Sequence, residues 1–245
     1  HAFRHTSSHI LALAVKRLYP DVKLAIGPAI EDGYYYDFDK EGSFSAEDLQ
    51  KIEEEMKKIV KEDLKLERYT LSREEALALM KDMNEPYKVE LIEDLPEDEV
   101  LSFYKMGEFV DLCAGPHITS TKHVKAFKLT QVAGAYWRGS EKNKMLTRIY
   151  GTSLPKKSEL DEYLAKVEEA KSRDHNKLGR ELGIFTSSEL IGHVLPLFKK
   201  NGTKILHVMK RFIEDLEESR GYEYTQTPLM SKSDLFKVSG HWDHY

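Results

Sequence analysis

The sequence predicts an α+β fold. Amphipathic helical segments and clustered short strands share the chain, but regular strand–helix–strand alternation, which marks a doubly wound sheet, is rare. The chain has 245 residues, a hydrophobic fraction of 40% and a charged fraction of 32%. These values are typical of a soluble protein with one large or two smaller domains.

The composition also narrows the cellular setting. The single cysteine excludes an internal disulfide framework and favours a reducing, cytoplasmic environment. The sequence contains neither a signal-peptide pattern nor an apolar run of membrane length, so no membrane partner is expected. A formal net charge of −5 argues against a uniformly basic nucleic-acid binder.

The first predicted helix places two histidines on one face. His5 and His9 are four residues apart, so both imidazoles can reach the same point. Apolar residues within 10–18 form a stripe beside them, and Pro20 ends the run.

Short extended pieces are predicted over 23–38, with turns at Gly27-Pro28 and Asp32-Gly33. Alternating aromatic side chains in this segment share one strand face; they are Tyr34, Tyr36 and Phe38. The segment is therefore expected to contribute a strand to the core.

The next two segments have different periodicities. Ser45 followed by Asp48 resembles a capping box and opens a charged helix that ends near Glu62. The segment Tyr87–Ile92 alternates apolar and polar residues, which predicts a strand with Lys88 on its polar side.

A second pair of polar residues with the same spacing follows, Cys113 and His117. Gly115-Pro116 between them favours a turn. The segment 109–113 is predicted to be a strand, which places Asp111 and Cys113 on the same face. Together with the helical histidines, these residues predict one polar site built from distant segments.

The residues alone leave the chemistry of this site open. A single histidine or cysteine is most often a packed, hydrogen-bonded residue. Three imidazoles and a thiol can nevertheless form a tetrahedral zinc site. The glutamate base of the HExxH pattern is absent from the spacer Thr6-Ser7-Ser8, so the metalloprotease pattern does not apply.

A basic strip lies between residues 122 and 157, where nine Lys or Arg stand against one acidic residue. Strands are predicted at 127–133 and 144–150, on either side of the segment 134–139. Such a strip can neutralise phosphates while its aromatic rings stack on unpaired bases; a solvated face with core aromatics is the alternative. The candidate nucleic-acid contacts in it are Tyr136, Trp137, Arg138, Lys144 and Arg148.

The remaining sequence predicts a change of domain. Ser158 with Asp161 resembles a capping box that opens one long linker helix reaching Leu182. Beyond it, a helix at about 203–219 is followed by a strand at 222–227 and by Pro228. We therefore expect three domains, at 1–152, 153–183 and 184–245.

Several of these motifs together resemble the editing domain of bacterial threonyl-tRNA synthetase, a class II enzyme. The similar segments are 5–9, 25–30, 33–38, 87–89, 111–117, 134–139, 148–152, 173–179 and 239–245. The helix–strand unit that ends at Pro228 resembles motif 1 of class II synthetases, which lies at the dimer interface in that family. The resemblance implies a homodimer through this segment.

The resemblance also implies roles in hydrolysing tRNA(Thr) mischarged with serine. His5 would contact the terminal ribose hydroxyl and relay protons, and Lys88 would position or activate the attacking water. Asp111 would hold the seryl ammonium or hydroxyl group, and Tyr36 would fix the substrate. The residues that complete the catalytic pocket would be His9, Cys113 and His117.

No cofactor and no metal is expected for editing, because the threonyl-type site resembled here is understood to act without one. The parent ligase uses ATP, Mg and Zn in regions that these 245 residues do not include. Two alternatives stay open, a non-catalytic module for tRNA binding or dimerisation and a zinc-dependent hydrolase.

Overall fold

The predicted α+β class is confirmed. A computed structural model of the chain describes residues 1–243, so His244 and Tyr245, which end the last segment of the resemblance, lie outside the described residues. Helices alternate irregularly with three sheets, in which the described pairings are antiparallel. No helix within this range is both long and apolar enough to cross a membrane.

The helices are α1 (Ala2–Leu18), α2 (Ala46–Lys61), α3 (Arg73–Asp82), α4 (Pro86–Asp94), α5 (Lys157–Ser172), α6 (His175–Glu181), α7 (Lys200–Ser219) and α8 (Ser233–Val238). The strands are β1 (Lys23–Leu24), β2 (Ala29–Ile30), β3 (Gly33–Asp39), β4 (Leu66–Leu71), β5 (Leu101–Met106), β6 (Phe109–Leu112), β7 (Ala126–Tyr136), β8 (Met145–Leu154), β9 (Phe185–Ser188) and β10 (Gly192–Phe198). Short 3-10 turns lie at Thr121–His123, Trp137–Gly139 and His241–Asp243.

The chain divides into two compact units after Val167. The first unit contains a sheet in the order β1-β3-β8-β7, with β2 also paired to β3, and a smaller sheet in the order β4-β5-β6. The three predicted domains, with boundaries at 152 and 183, stay a prediction.

The core of the first unit forms between α1 and the larger sheet. Residues 6–15 of α1 are all buried, because this helix packs against β2, β3, β8 and α2. The three aromatic side chains predicted to share a face of β3, Tyr34, Tyr36 and Phe38, are each 0% exposed.

The predicted strand at 87–92 is wrong, because these residues form α4. Pro86 occupies the first turn of this helix, where its missing N–H has no intrahelical partner to lose. Tyr87 packs against the Trp137 ring, whereas Ile92 enters a separate core cluster. The helix is therefore buried on two sides.

The structure tests the two capping boxes that the sequence predicts at helix N-termini. Ser45 and Asp48 form a complete capping box, as predicted, in front of α2. The box predicted at Ser158 is wrong, because α5 already begins at Lys157 and Ser158 lies within its first turn.

From α5 onwards the structure differs from the sequence prediction in three ways. The prediction of a single linker helix is wrong, because the segment forms two helices, α5 and α6. Asp174 caps α6 by accepting a hydrogen bond from the Lys177 N–H at 2.9 Å. The predicted strand at 222–227 is also wrong, because these residues pair with no strand within 1–243. The helix predicted at about 203–219 is confirmed as α7, and the β9–β10 hairpin before it was not predicted.

Candidate active site

The centre of the candidate site is the buried carboxylate of Asp111, at the end of β6. Its Oδ1 lies 2.5 Å from Lys88 Nζ, and its Oδ2 accepts a 2.7 Å hydrogen bond from the Tyr36 hydroxyl. His9 Nε2 is 3.6 Å from Oδ2. All four residues are at most 3% exposed, so one carboxylate joins α1, β3, α4 and β6 inside the protein.

A cluster of three imidazoles and a thiol adjoins this ion pair. Cys113 Sγ lies 3.3 Å from His5 Nε2 and 3.2 Å from His117 Nε2, and it accepts a hydrogen bond of 3.2 Å from the Gly115 N–H. The His117 ring centroid is 4.1 Å from that of His5 and 4.2 Å from that of His9. The convergence of the two i, i+4 pairs is therefore present in the structure.

Burial keeps these groups uncharged. It lowers the pKa of His5, and with the neighbouring imidazoles it lowers the pKa of His117 to about 2. The pKa of His9 is held well below its ordinary value, first by burial and then by His5 and Lys88. Burial also raises the pKa of the Cys113 thiol to about 11. Neutral imidazoles therefore surround a neutral thiol at pH 7.

The folding of each segment explains how these groups meet. Glu85, just before α4, accepts hydrogen bonds from Lys16 Nζ at 2.8 Å and from the Leu24 N–H at 2.7 Å. This anchors the start of the helix that carries Lys88. After β6 the backbone turns at Gly115, whose φ of +74° and close approach to the Tyr104 hydroxyl leave no space for a Cβ.

The cluster also has a donor set that zinc accepts. One donor atom from each of His5, His9, Cys113 and His117 lies within 4.8 Å of the others. Imidazole nitrogen and thiolate sulfur are the donors of tetrahedral zinc sites. A bound zinc would require the Cys113 thiol to lose its proton, which burial opposes.

Two buried residues that support the site were not among the predicted ones. Thr6 contacts His117 Nδ1 through its hydroxyl at 3.2 Å, and Glu85 holds α4 as described. The position of Thr6 next to His5 in the sequence was a usable signal, because a hydroxyl beside a functional imidazole can orient it. Glu85 had no signal, because its partners are distant in sequence.

The candidate tRNA contacts lie outside the histidine–thiol cluster. Arg138 forms ion pairs with Glu90 and Asp94 on α4. Lys144 Nζ lies 2.8 Å from Asp39, and Tyr136 is 38% exposed. None of these five residues contributes a donor to the histidine–thiol cluster.

Two members of this group, Trp137 and Arg148, are engaged by neighbouring side chains of the protein. Trp137 is 6% exposed, and its Nε1–H donates to the Glu90 carboxylate, so its ring is not presented to a base in this structure. Arg148 pairs with Asp37 through two hydrogen bonds, of 2.6 and 2.8 Å, and stacks on Tyr35. The tRNA contacts stay a prediction.

Comparison with known proteins identifies the class of this domain. Residues 101–150, which run from β5 into β8 and include Asp111, Cys113 and His117, match the family described as the threonyl and alanyl tRNA synthetase second additional domain. The matched segment lies within the first unit and carries three residues of the buried ion pair and the histidine–thiol cluster.

Relatives narrow the class to one family. The chain is 65% identical over 245 residues to a threonine–tRNA ligase of Clostridium perfringens. It is 66% identical over 244 residues to that of Clostridium botulinum and 64% identical over 244 residues to that of Acetivibrio thermocellus. Each match covers 100% of this chain and 38% of the relative. The chain belongs to the threonyl-tRNA synthetase family and spans less than half the length of these relatives.

Proposed function

We propose that the site hydrolyses the ester that links serine to tRNA(Thr). The observation that carries the proposal is the buried Lys88–Asp111 ion pair beside neutral histidines, in a domain of this family. Serine lacks one methyl group of threonine, and a missing methyl group changes binding by only about 1–3 kcal/mol, or roughly 10- to 200-fold. A second, hydrolytic site removes the errors that such a ratio leaves.

The reaction we propose is direct attack by water on the seryl carbonyl carbon. The Lys88 ammonium orients the water and stabilises the negative charge that develops on the carbonyl oxygen. His5 accepts the proton of the attacking water and returns it to the leaving ribose oxygen, because its lowered pKa keeps the imidazole neutral. The products are free serine and tRNA(Thr).

Substrate binding falls to the groups around the reacting carbonyl. Asp111 binds the ammonium or hydroxyl of the seryl group, and Tyr36 holds Asp111 in place from the strand side. The remaining groups, His9, Cys113 and His117, complete the pocket. A raised pKa makes the Cys113 thiol a poor nucleophile at pH 7, which favours water as the attacking group.

The parts of the ligase that lie outside this chain would carry aminoacylation, with ATP, Mg and Zn. We also propose that tRNA contacts the basic strip and that the exposed apolar side of α7 forms a homodimer interface. The exposed residues of that side are Ile205, Leu206, Val208, Met209, Phe212 and Ile213. A cytoplasmic location is part of the same proposal.

Ester hydrolysis by the purified chain tests the proposal directly. Seryl-tRNA(Thr) and threonyl-tRNA(Thr) are incubated with the wild type, with Lys88→Ala and with Lys58→Ala, whose lysine forms a 2.8 Å ion pair with Glu55 on α2. We expect selective loss of serine with the wild type and with Lys58→Ala only. Equal hydrolysis by folded Lys88→Ala would refute the assigned chemistry.

A zinc-dependent hydrolase is the second candidate, because four donor atoms lie within 4.8 Å of one another. This candidate predicts one zinc per chain by elemental analysis and complete loss of hydrolysis with a chelator. The metal-free proposal predicts chelator-resistant hydrolysis.

A binding module without chemistry is the third candidate, favoured by the basic strip. It predicts that changes at Arg138 or Lys144 weaken tRNA binding in a salt-sensitive manner, and that changes at His5 or Lys88 affect binding alone. Under the editing proposal, changes at His5 or Lys88 abolish hydrolysis and leave tRNA binding intact.

A further inference from the structure

Thr6 makes three polar contacts from a fully buried position beside the histidine–thiol cluster. Its Oγ1 lies 2.9 Å from the Ala2 carbonyl oxygen, 3.1 Å from the Ile118 amide nitrogen and 3.2 Å from His117 Nδ1. A hydroxyl group has one proton to donate and two lone pairs to accept with. The partners therefore determine where each proton lies.

Two of the three partners of Thr6 can act in only one way, one as a donor and the other as an acceptor. The Ile118 N–H can only donate, so it takes one lone pair of the Thr6 hydroxyl. The Ala2 carbonyl can only accept, and it is the nearer of the two remaining partners, so it receives the hydroxyl proton. The contact with His117 then uses the second lone pair of Thr6. His117 must therefore carry its proton on Nδ1.

The same reasoning extends through the thiol. With its proton on Nδ1, neutral His117 presents a lone pair on Nε2, so the Cys113 thiol donates to it across 3.2 Å. The Sγ atom then has only lone pairs left for His5 Nε2 at 3.3 Å. His5 must therefore donate from Nε2, and the lone pair of its imidazole lies on Nδ1.

The opposite order of protons leaves a buried donor without an acceptor. If Thr6 donated to His117, then His117 would donate to Cys113 and Cys113 to His5, whose proton would lie on Nδ1. That nitrogen is buried and has no hydrogen-bond partner within residues 1–243. Buried N–H groups without an acceptor are rare and costly, whereas an unpaired lone pair is better tolerated.

We infer that Thr6 is a positioning residue that fixes the tautomer of His117 and, through Cys113, that of His5. Of the two ring nitrogens of His5, only Nδ1, which is buried in this structure, then keeps a lone pair that can take up a proton. This inference rests on the proposed editing function for its catalytic consequence, although the tautomers themselves do not depend on it. Thr6 acts through two other side chains and does not contact the substrate.

Nitrogen-15 NMR of histidine-labelled protein at pH 7.5 measures the tautomers directly. Long-range proton–nitrogen spectra distinguish the protonated ring nitrogen from the other, and His5→Gln and His117→Gln spectra assign the signals. We expect the proton on Nδ1 of His117 and on Nε2 of His5. A wild-type spectrum with His117 protonated on Nε2 overturns the inference, and this result requires no folded variant of Thr6.

Two variants then separate positioning from packing. Thr6→Ser keeps the hydroxyl, and we expect it to retain both tautomers and the rate of hydrolysis. Thr6→Val keeps the volume but removes the hydroxyl, and we expect a mixture of His117 tautomers and a kcat lowered roughly 3- to 10-fold, the factor for one hydrogen bond, with KM unchanged. An unchanged His117 tautomer in folded Thr6→Val contradicts the inference.

Failure of this inference and failure of the editing function give different results. Wild-type hydrolysis that requires Lys88, together with the opposite His117 tautomer, overturns only the role of Thr6. The expected tautomers in a chain that does not hydrolyse seryl-tRNA(Thr) support the proton order and overturn its use in editing.

Discussion

Replacing Lys88 with methionine tests the energetics of the buried ion pair. The Lys88 and Asp111 side chains are only 4% and 3% exposed, and their charged atoms are 2.5 Å apart. Removing one partner of a buried pair leaves the other charge uncompensated, which costs about 3–5 kcal/mol in the free energy of unfolding. We expect this loss for Lys88→Met and a similar loss for Asp111→Asn.

The double variant separates charge from packing. Lys88→Met with Asp111→Asn removes both charges, and Tyr36 can still donate to the amide oxygen of the new asparagine. We therefore expect the double variant to be less destabilised than the sum of the single variants, with an interaction energy of about 2–3 kcal/mol.

Urea unfolding followed by tryptophan fluorescence measures these energies. The chain has two tryptophans, so a Trp242→Phe background leaves Trp137, which is buried in the same compact unit as Lys88, as the reporter. Lys58→Met serves as the exposed control, for which we expect little change. Additive losses in the double variant, or a loss below about 1 kcal/mol for Lys88→Met, would refute the reasoning.

Three further predictions follow from charged and titratable groups. The hydrogen bond from the Ser45 N–H is the chief cause that lowers the pKa of Asp48 to about 2. The ionised Asp48 carboxylate therefore stabilises the folded chain above pH 4, and this stabilisation is lost as the pH falls towards 2. Asp48→Asn should flatten this dependence in thermal unfolding at pH 7, 4 and 2; an unchanged profile would contradict it. The raised pKa of Cys113 should slow its alkylation by iodoacetamide at pH 8 roughly 100-fold relative to the urea-unfolded chain. Equal alkylation rates would show an ordinary thiol. Glu85→Ala should lower kcat for hydrolysis by freeing the start of α4, whereas Glu85→Gln, which keeps an acceptor for the Leu24 N–H, should lower it less. Equal activity in all three proteins would exclude this anchoring role.

The site was predictable from sequence to the extent that local spacing controlled it. The spacing of His5 and His9 on a helix is fixed by helical geometry, and the structure places both rings beside His117. The alternation before Cys113 placed Asp111 on the correct face of β6. In both cases the sequence pattern depends only on which residues share one face of a single helix or strand.

The wrong predictions concern a helix that is buried on two sides and a segment that would need a partner strand. Helix α4 is buried on two sides, so its apolar residues imitate the alternation of a strand. The segment 222–227 has the composition of a strand, but a strand forms only against a partner, and the described residues provide none. The network around Thr6 depends on Ile118 and His117, more than 100 positions away in sequence.

Asp111 lies where four elements meet, so the proposed hydrolytic activity should report on the folding of all four. Residues 9, 36, 88 and 111 converge on this carboxylate from separate parts of the chain. Unfolding of any one of these elements would remove a contact to Asp111 and disrupt the whole site. A partly unfolded first unit would therefore retain no hydrolysis. The denaturation curve read from deacylation should therefore coincide with the curve read from Trp137 fluorescence.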